Sequence, residues 1–265
     1  VPAGNGYYPQ AIAINPATGR VYVRNERSDS EERGNVSIID AATNEIIATI
    51  PVGPSGWDYN EVAVDERANR VYVVNRGDKT LTVIAGATNQ VLATVEGVEV
   101  VAVDEDRLYV TDGETVRLLD ARNYSELRSA SLPPGSTAIA LALNSPADRL
   151  YLARSSPDAL DIFTASTLER VTTVPLKGSV QDLAVNTVTN RLYVALSGEE
   201  GNEILTLDGT SGDPIASLVV GDKYQKSFLA VDEVADRLYV GRTTSQEPSV
   251  AVVNGATAWG GSTSP

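Results

Sequence analysis

The sequence predicts an all-β chain folded as a β-propeller of six four-stranded blades, and three observations carry that prediction. One short strand signature recurs six times, its copies are spaced by the length of a blade, and similar apolar segments and turns surround each copy. The signature reads Arg20-Val-Tyr22-Val, Arg70-Val-Tyr72-Val, Arg107-Leu-Tyr109-Val, Arg149-Leu-Tyr151-Leu, Arg191-Leu-Tyr193-Val and Arg237-Leu-Tyr239-Val. Successive tyrosines lie 50, 37, 42, 42 and 46 residues apart. That period suits a four-stranded blade and is too long for leucine-rich or ankyrin units.

The signature is the second strand of each repeat. Before it runs a first strand closing on Ala-(Ile/Val/Leu)-(Asn/Asp), at 13–15, 63–65, 102–104, 142–144, 184–186 and 230–232. Turn formers such as Asn15-Pro-Ala-Thr-Gly19 and Asn144-Ser-Pro-Ala-Asp148 separate the two strands, which marks a tight antiparallel hairpin. A third, apolar and largely β-branched strand follows at 36–40, 81–85, 116–120, 160–164, 204–208 and 250–254. A fourth lies beyond a polar turn at 45–50, 90–95, 126–132, 169–174 and 214–219.

The sixth copy lacks this last strand and runs into a Gly- and Ser-rich tail at 258–265. At the other end, Val1-Pro-Ala-Gly4 aligns with Ile50-Pro-Val-Gly53, the close of a fourth strand. The expectation is one domain, 1–265, with blades at about 11–53, 61–97, 100–135, 138–178, 181–221 and 227–257. The sixth is either incomplete or closed by the N-terminal segment 1–4, with Trp259 and its neighbours as another source of the missing strand. Seven blades are the alternative count.

Regularity across all copies argues for architecture, because a functional site uses a few blades unequally. The Arg and Tyr of each signature alternate with apolar residues and so share one strand face. Tyr is expected to pack between adjacent blades. Arg is expected to pair across its own hairpin, as Arg70 with Asp65 and Arg237 with Asp232.

Tyr22-Val-Arg-Asn25, Tyr72-Val-Val-Asn75 and Tyr109-Val-Thr-Asp112 resemble the Tyr-Val-Thr-Asn repeat of the YVTN β-propeller family. The likeness runs along essentially the whole chain. It implies an exported or surface-associated propeller, often of the surface layer or envelope, and a blade number commonly of seven. The later copies depart from the pattern, with Arg154, Leu196 and Arg242 where the motif closes on Asn.

Composition narrows the chemistry. A formal net charge of −14 opposes polyanions, so nucleic acid is not an expected partner. No apolar run approaches the ~20 residues of a membrane-spanning helix. With no Cys there is no disulfide or thiolate, and with no His there is no imidazole acid or base and no Ser-His-Asp machinery. What remains for catalysis is carboxylate, Lys or Tyr chemistry, or a carboxylate-held divalent metal. The chain also begins at Val1 and has no Met, which points to the loss of an upstream segment, either a cleaved export signal or a trimmed end, with export to the periplasm, cell surface or exterior as the expectation.

In a propeller the loops leading into the first strand and those joining the second to the third emerge on one face. Tyr7, Tyr8, Trp57, Tyr59 and Tyr224 fall in the first set, and Arg27, Arg76, Arg154 and Arg242 in the second. Together they suit a platform for a protein or glycan partner. The plainer alternative is that the rings are lids over blade ends. Glu61, Glu99 and Asp182 sit at or before first strands near the expected channel mouth, where three carboxylates would suit Ca²⁺ or Mg²⁺. Solvated surface acids are the plainer reading of these.

The leading expectation is a non-enzymatic binding or scaffold propeller for a protein, envelope component or glycan, without a cofactor. A metal-dependent hydrolase or lactonase using the three acids is the alternative. A structural subunit of a larger surface assembly, joined edge to edge through the sixth blade, is a third.

Overall fold

The computed structural model describes residues 7–27, 34–54, 62–199, 201–221, 226–243 and 249–255. Blade 1 is a sheet of β1 (Tyr7–Asn15), β2 (Arg20–Arg27), β3 (Asn35–Asp40) and β4 (Glu45–Pro51), each antiparallel to the one before. Blade 2 repeats this order with β5 (Val62–Asp65), β6 (Arg70–Asn75), β7 (Thr80–Ala85) and β8 (Gln90–Glu96). Blade 3 follows with β9 (Val100–Asp104), β10 (Arg107–Thr111), β11 (Thr115–Asp120) and β12 (Glu126–Ser131). These three blades make one compact unit, Val1–Leu132.

The second unit, Pro133–Pro265, holds the other three. Blade 4 comprises β13 (Thr137–Asn144), β14 (Arg149–Ser155), β15 (Ala159–Thr164) and β16 (Arg170–Pro175). Blade 5 comprises β17 (Ser179–Asn186), β18 (Arg191–Ser197), β19 (Asn202–Asp208) and β20 (Pro214–Gly221). Blade 6 has three strands among the described residues: β21 (Lys226–Asp232), β22 (Arg237–Thr243) and β23 (Ser249–Asn254). The chain is thus a six-bladed β-propeller fold, and segment 1–4 and the tail 258–265 with Trp259, the alternative sources of a closing strand, lie outside the described residues. No helix among the described residues is long and apolar enough to cross a membrane.

Burial follows strand position. In blade 2 the second and third strands are buried on both faces, whereas the fourth alternates between exposed and half-buried residues. Tyr22, Tyr72, Tyr151 and Tyr193 each lie in the seam between their own blade and the next. Tyr22 packs with Val71 and Val73 of blade 2, and Tyr72 with Val101 and Leu108 of blade 3. In the second unit Tyr151 packs with Leu183 and Leu192 of blade 5, and Tyr193 with Leu238 and Val240 of blade 6. Tyr239 of blade 6 is only half-buried, and Val250 and Val252 on the last described strand are 66% and 57% exposed.

Polar stitches cross the same seams at the hairpin end. Asn15 Nδ2 donates to Asn69 Oδ1 at 3.1 Å, Asn144 to Asn190 at 2.9 Å, and Asn186 to Asp236 Oδ1 at 2.8 Å. The three acceptors have φ of 50°, 53° and 48°, the left-handed region where Asn and Asp are favoured among residues with a side chain. Their side chains lean over Gly86, Gly209 and Gly255, where a Cβ would come within 2.1, 2.4 and 2.4 Å of an Oδ1.

The signature arginines depart from expectation. Arg70 and Asp65 face each other in the backbone ladder, but Asp65 accepts the Ala68 N–H of its own turn and Arg70 donates to the Ala121 carbonyl of blade 3. Asp232 likewise accepts the Ala235 N–H. Arg20 reaches Asn89 of blade 2, and Arg191 reaches Asp236 and the Gly255 carbonyl of blade 6. A short acid at a strand end is better used on the N–H groups of its turn, while the long arginine spans the gap between blades or, as Arg149 does, turns back onto the Asp148 carbonyl of its own hairpin at 3.1 Å.

The tyrosine hydroxyls separate two roles. Tyr151 donates to the Gly209 carbonyl of blade 5 at 2.7 Å, whereas the buried Tyr22 hydroxyl has no partner among the described residues. Tyr151→Phe should therefore lower unfolding free energy by about 1 kcal/mol in urea titrations, and Tyr22→Phe should change it by less than about 0.5 kcal/mol.

Candidate functional site

In blade 2 the residue closing the motif meets the preceding blade, Asn75 Oδ1 accepting from Arg24, and in blade 3 the third-strand residue two places along does so, Arg117 donating to the Gly97 carbonyl. These two positions change together from blade to blade. In blade 1, Asn25 Nδ2 donates to Ser37 Oγ at 2.9 Å; in blade 2, Asn75 donates to Thr82 Oγ1 at 2.9 Å. In blade 3 the pair is Asp112 and Arg117; against the pull of burial, the Thr115 and Glu114 N–H groups and the Thr115 hydroxyl, with Arg117 after them, hold the Asp112 carboxyl below its ordinary pKa. Blade 4 has Arg154 and Asp161, with Nε to Oδ2 at 2.8 Å, both buried. Blade 5 has Leu196 and Leu205.

The expected binding arginines are therefore placed in different ways. Arg154 donates to Asp161 and the Pro157 carbonyl inside its own blade. Arg76 Nε donates to the Glu99 carbonyl at 2.9 Å, and Arg242 donates to the Val220 carbonyl of blade 5. Arg24, absent from the expected contacts, is the most enclosed arginine among the described residues. From blade 1 it donates to the Val74 carbonyl at 2.7 Å, to Asn75 Oδ1 at 3.0 Å and to the Gly53 carbonyl at 3.1 Å. Its burial draws the guanidinium pKa down to about 10.

Of the expected aromatic platform, Tyr8 is exposed, at 57%. Tyr7 pairs with Arg27 in the backbone ladder, and the side chains of both lie outside the described set. Trp57, Tyr59 and Tyr224 are also outside the described residues. So is Glu61, of the three acids. Glu99 forms an ion pair with Lys79 at 2.7 Å in the first unit. In the second unit, Asp182 accepts the Leu183 N–H at 2.8 Å and the Leu229 N–H of blade 6 at 2.7 Å. Among the described residues no three acids gather as a metal site would require.

The seam between blades 4 and 5 differs from those around it. Elsewhere in the described seams a polar arm closes the loop end: Arg24 between blades 1 and 2, Arg76 and Arg117 between 2 and 3, Arg242 between 5 and 6. Between blades 4 and 5 the facing residues are Ala153, in the register place of Arg24, and the Leu196 and Leu205 pair. Short and apolar groups leave space there. A polar cavity of about 400 Å³ opens on the loop face, with Asp158, Lys177 and Glu199 at its rim. Leu176 and Lys177 also line a second, mainly apolar groove of about 440 Å³ that continues along Leu196, Glu203, Leu205 and Ile215.

No family model matches the chain, and no curated protein matches it. Solved structures do. The chain is similar to hydrazine synthase of Kuenenia stuttgartiensis, at 14% identity and a TM-score of 0.73, over 88% of this chain and 73% of that one. It is similar to the WD40 repeats of RRP9, at 12% identity and TM-score 0.70, over 90% and 74%. It is also similar to the WD40 domain of Toxoplasma gondii coronin, at 14% identity and TM-score 0.68, over 91% and 69%. At these identities the shared property is the propeller fold.

Two measurements probe the buried groups. Asp161→Ala strands the Arg154 charge in the blade and should cost about 3 kcal/mol or more in urea unfolding. The pair Arg154→Asn with Asp161→Thr, which installs the blade 2 arrangement, should recover most of it. Asp182 is pushed by burial from 3.8 up to about 6, against its two backbone N–H bonds. The folded state thus holds this proton more tightly than the unfolded chain. Its contribution to stability is full below pH 3.8 and is lost as pH rises through about 6. Relative to Asp182→Asn, the wild-type unfolding free energy should fall across that window and level off above it.

Proposed function

We propose that this chain is an exported, non-enzymatic propeller of the YVTN-repeat kind, serving as a binding or scaffold module for a protein, an envelope component or a glycan. The observation that carries this reading is the loop-face opening between blades 4 and 5, where a polar rim leads into an apolar groove. Rigid antiparallel blades hold such an opening in shape, and a polar rim around an apolar interior is the anatomy of an interaction site. WD40 neighbours fit a module of this type. Export rests on the resemblance of Tyr22-Val-Arg-Asn25 and its sister copies to the YVTN repeat.

The aromatic residues assigned to the loop face supply the test. Immobilised chain is incubated with solubilised envelope proteins and with a glycan array, and captured species are identified. A specific partner should be retained by the wild type and lost on Trp57→Ala with Tyr59→Ala, with the circular dichroism spectrum unchanged. Equal capture by the two proteins, or by the wild type and a chain carrying the same changes plus Tyr8→Ala, would refute the loop-face reading.

A further inference from the structure

The seam between blades 4 and 5 carries a more specific inference, which rests on the loop-face reading above. We propose that the apolar groove there binds an extended segment of a partner polypeptide, with an aliphatic side chain as anchor and Lys or Arg beside it.

Three features specify that occupant. The interior is built from Leu196, Leu205 and Leu207 on one face of blade 5 and from Val174 and Leu176 at the end of blade 4. Burying one Leu or Val side chain there removes apolar surface from water on both partners. Ile215 stands 47% exposed at the groove, on the same face of blade 5 as Leu205. It forms an open apolar wall rather than part of a sealed core.

Second, β20 is the last strand of its sheet, so the outward main-chain groups of 215–217 have no strand partner among the described residues. An extended peptide laid along them gains main-chain hydrogen bonds while its alternate side chains enter the groove. Third, charge selects the flanking residues. Glu203 lies in the groove, and Asp158 and Glu199 lie at the adjoining rim, against Lys177 as the cation. None of these three acids is in an ion pair among the described residues. The chain as a whole carries −14, which adds long-range attraction for a basic segment.

The test uses three fluorescein-labelled peptides and fluorescence anisotropy: Gly-Lys-Val-Lys-Leu-Lys-Gly, Gly-Lys-Ser-Lys-Ser-Lys-Gly and Gly-Glu-Val-Glu-Leu-Glu-Gly. The first should bind saturably and at least about tenfold more tightly than the other two. Ile215→Arg should weaken it by about tenfold or more, and Glu203→Lys should shift preference toward the acidic peptide. Both positions reach solvent, and circular dichroism checks that the variants stay folded. Equal binding of the valine-leucine and serine peptides would show mere attraction to a negative surface and overturn the proposal, as would affinity unchanged in both variants. If a partner captured through the aromatic loops binds the Ile215→Arg chain as it binds wild type, and the peptide fails, the loop-face reading stands and this one falls.

Discussion

Blades 1, 2, 4 and 5 each depend on the next blade for the burial of one tyrosine. An isolated four-stranded sheet offers two faces to water and can cover neither. The Tyr22, Tyr72, Tyr151 and Tyr193 rings solve this by standing on one blade and sinking into the aliphatic face of the next. A large ring at a fixed register position sets how far apart two sheets can stand. The aliphatic residues of the second and third strands then fill what remains. The polar stitches from Asn15, Asn144 and Asn186 add direction to this packing, since each runs from one blade into the hairpin of the following one.

Most of this architecture is legible in the sequence because it repeats. Tyr22 and its sister residues announce strand register, and the Asn or Asp after each first strand announces the turn. What could not be read was where long side chains end. Arg70 and Asp65 are ladder partners in sequence logic and in the backbone, yet their side chains serve different blades. Nothing local distinguishes an arginine that folds back from one that crosses a seam, because the acceptors it finds are backbone carbonyls such as those of Ala121 and Gly255.

The candidate site shows the same division. The loss of Asn at Leu196 is visible as a departure from the motif, but its meaning requires Leu205 on the next strand and Ala153 on the preceding blade. Three unremarkable apolar residues, far apart in sequence, together remove the polar closure that the other described seams possess. Arg154 misleads for the opposite reason. As a basic residue in a loop-face position it reads as a ligand contact, and Asp161 turns it into part of the blade interior.

The Arg154 and Asp161 pair has a bearing on how such a chain diversifies. Propeller blades arise as copies, and most positions in a copy can change one at a time. Here the two single replacements are unequal: Asp161 without Arg154 keeps Arg170 at 3.7 Å and the Thr173 hydroxyl, whereas Arg154 without Asp161 is a charge stranded in the blade interior. The change to a guanidinium with a carboxylate therefore favours the acid first, and the way back favours losing the arginine first. Blade 4 enters and leaves this arrangement by one order of changes and not by the other.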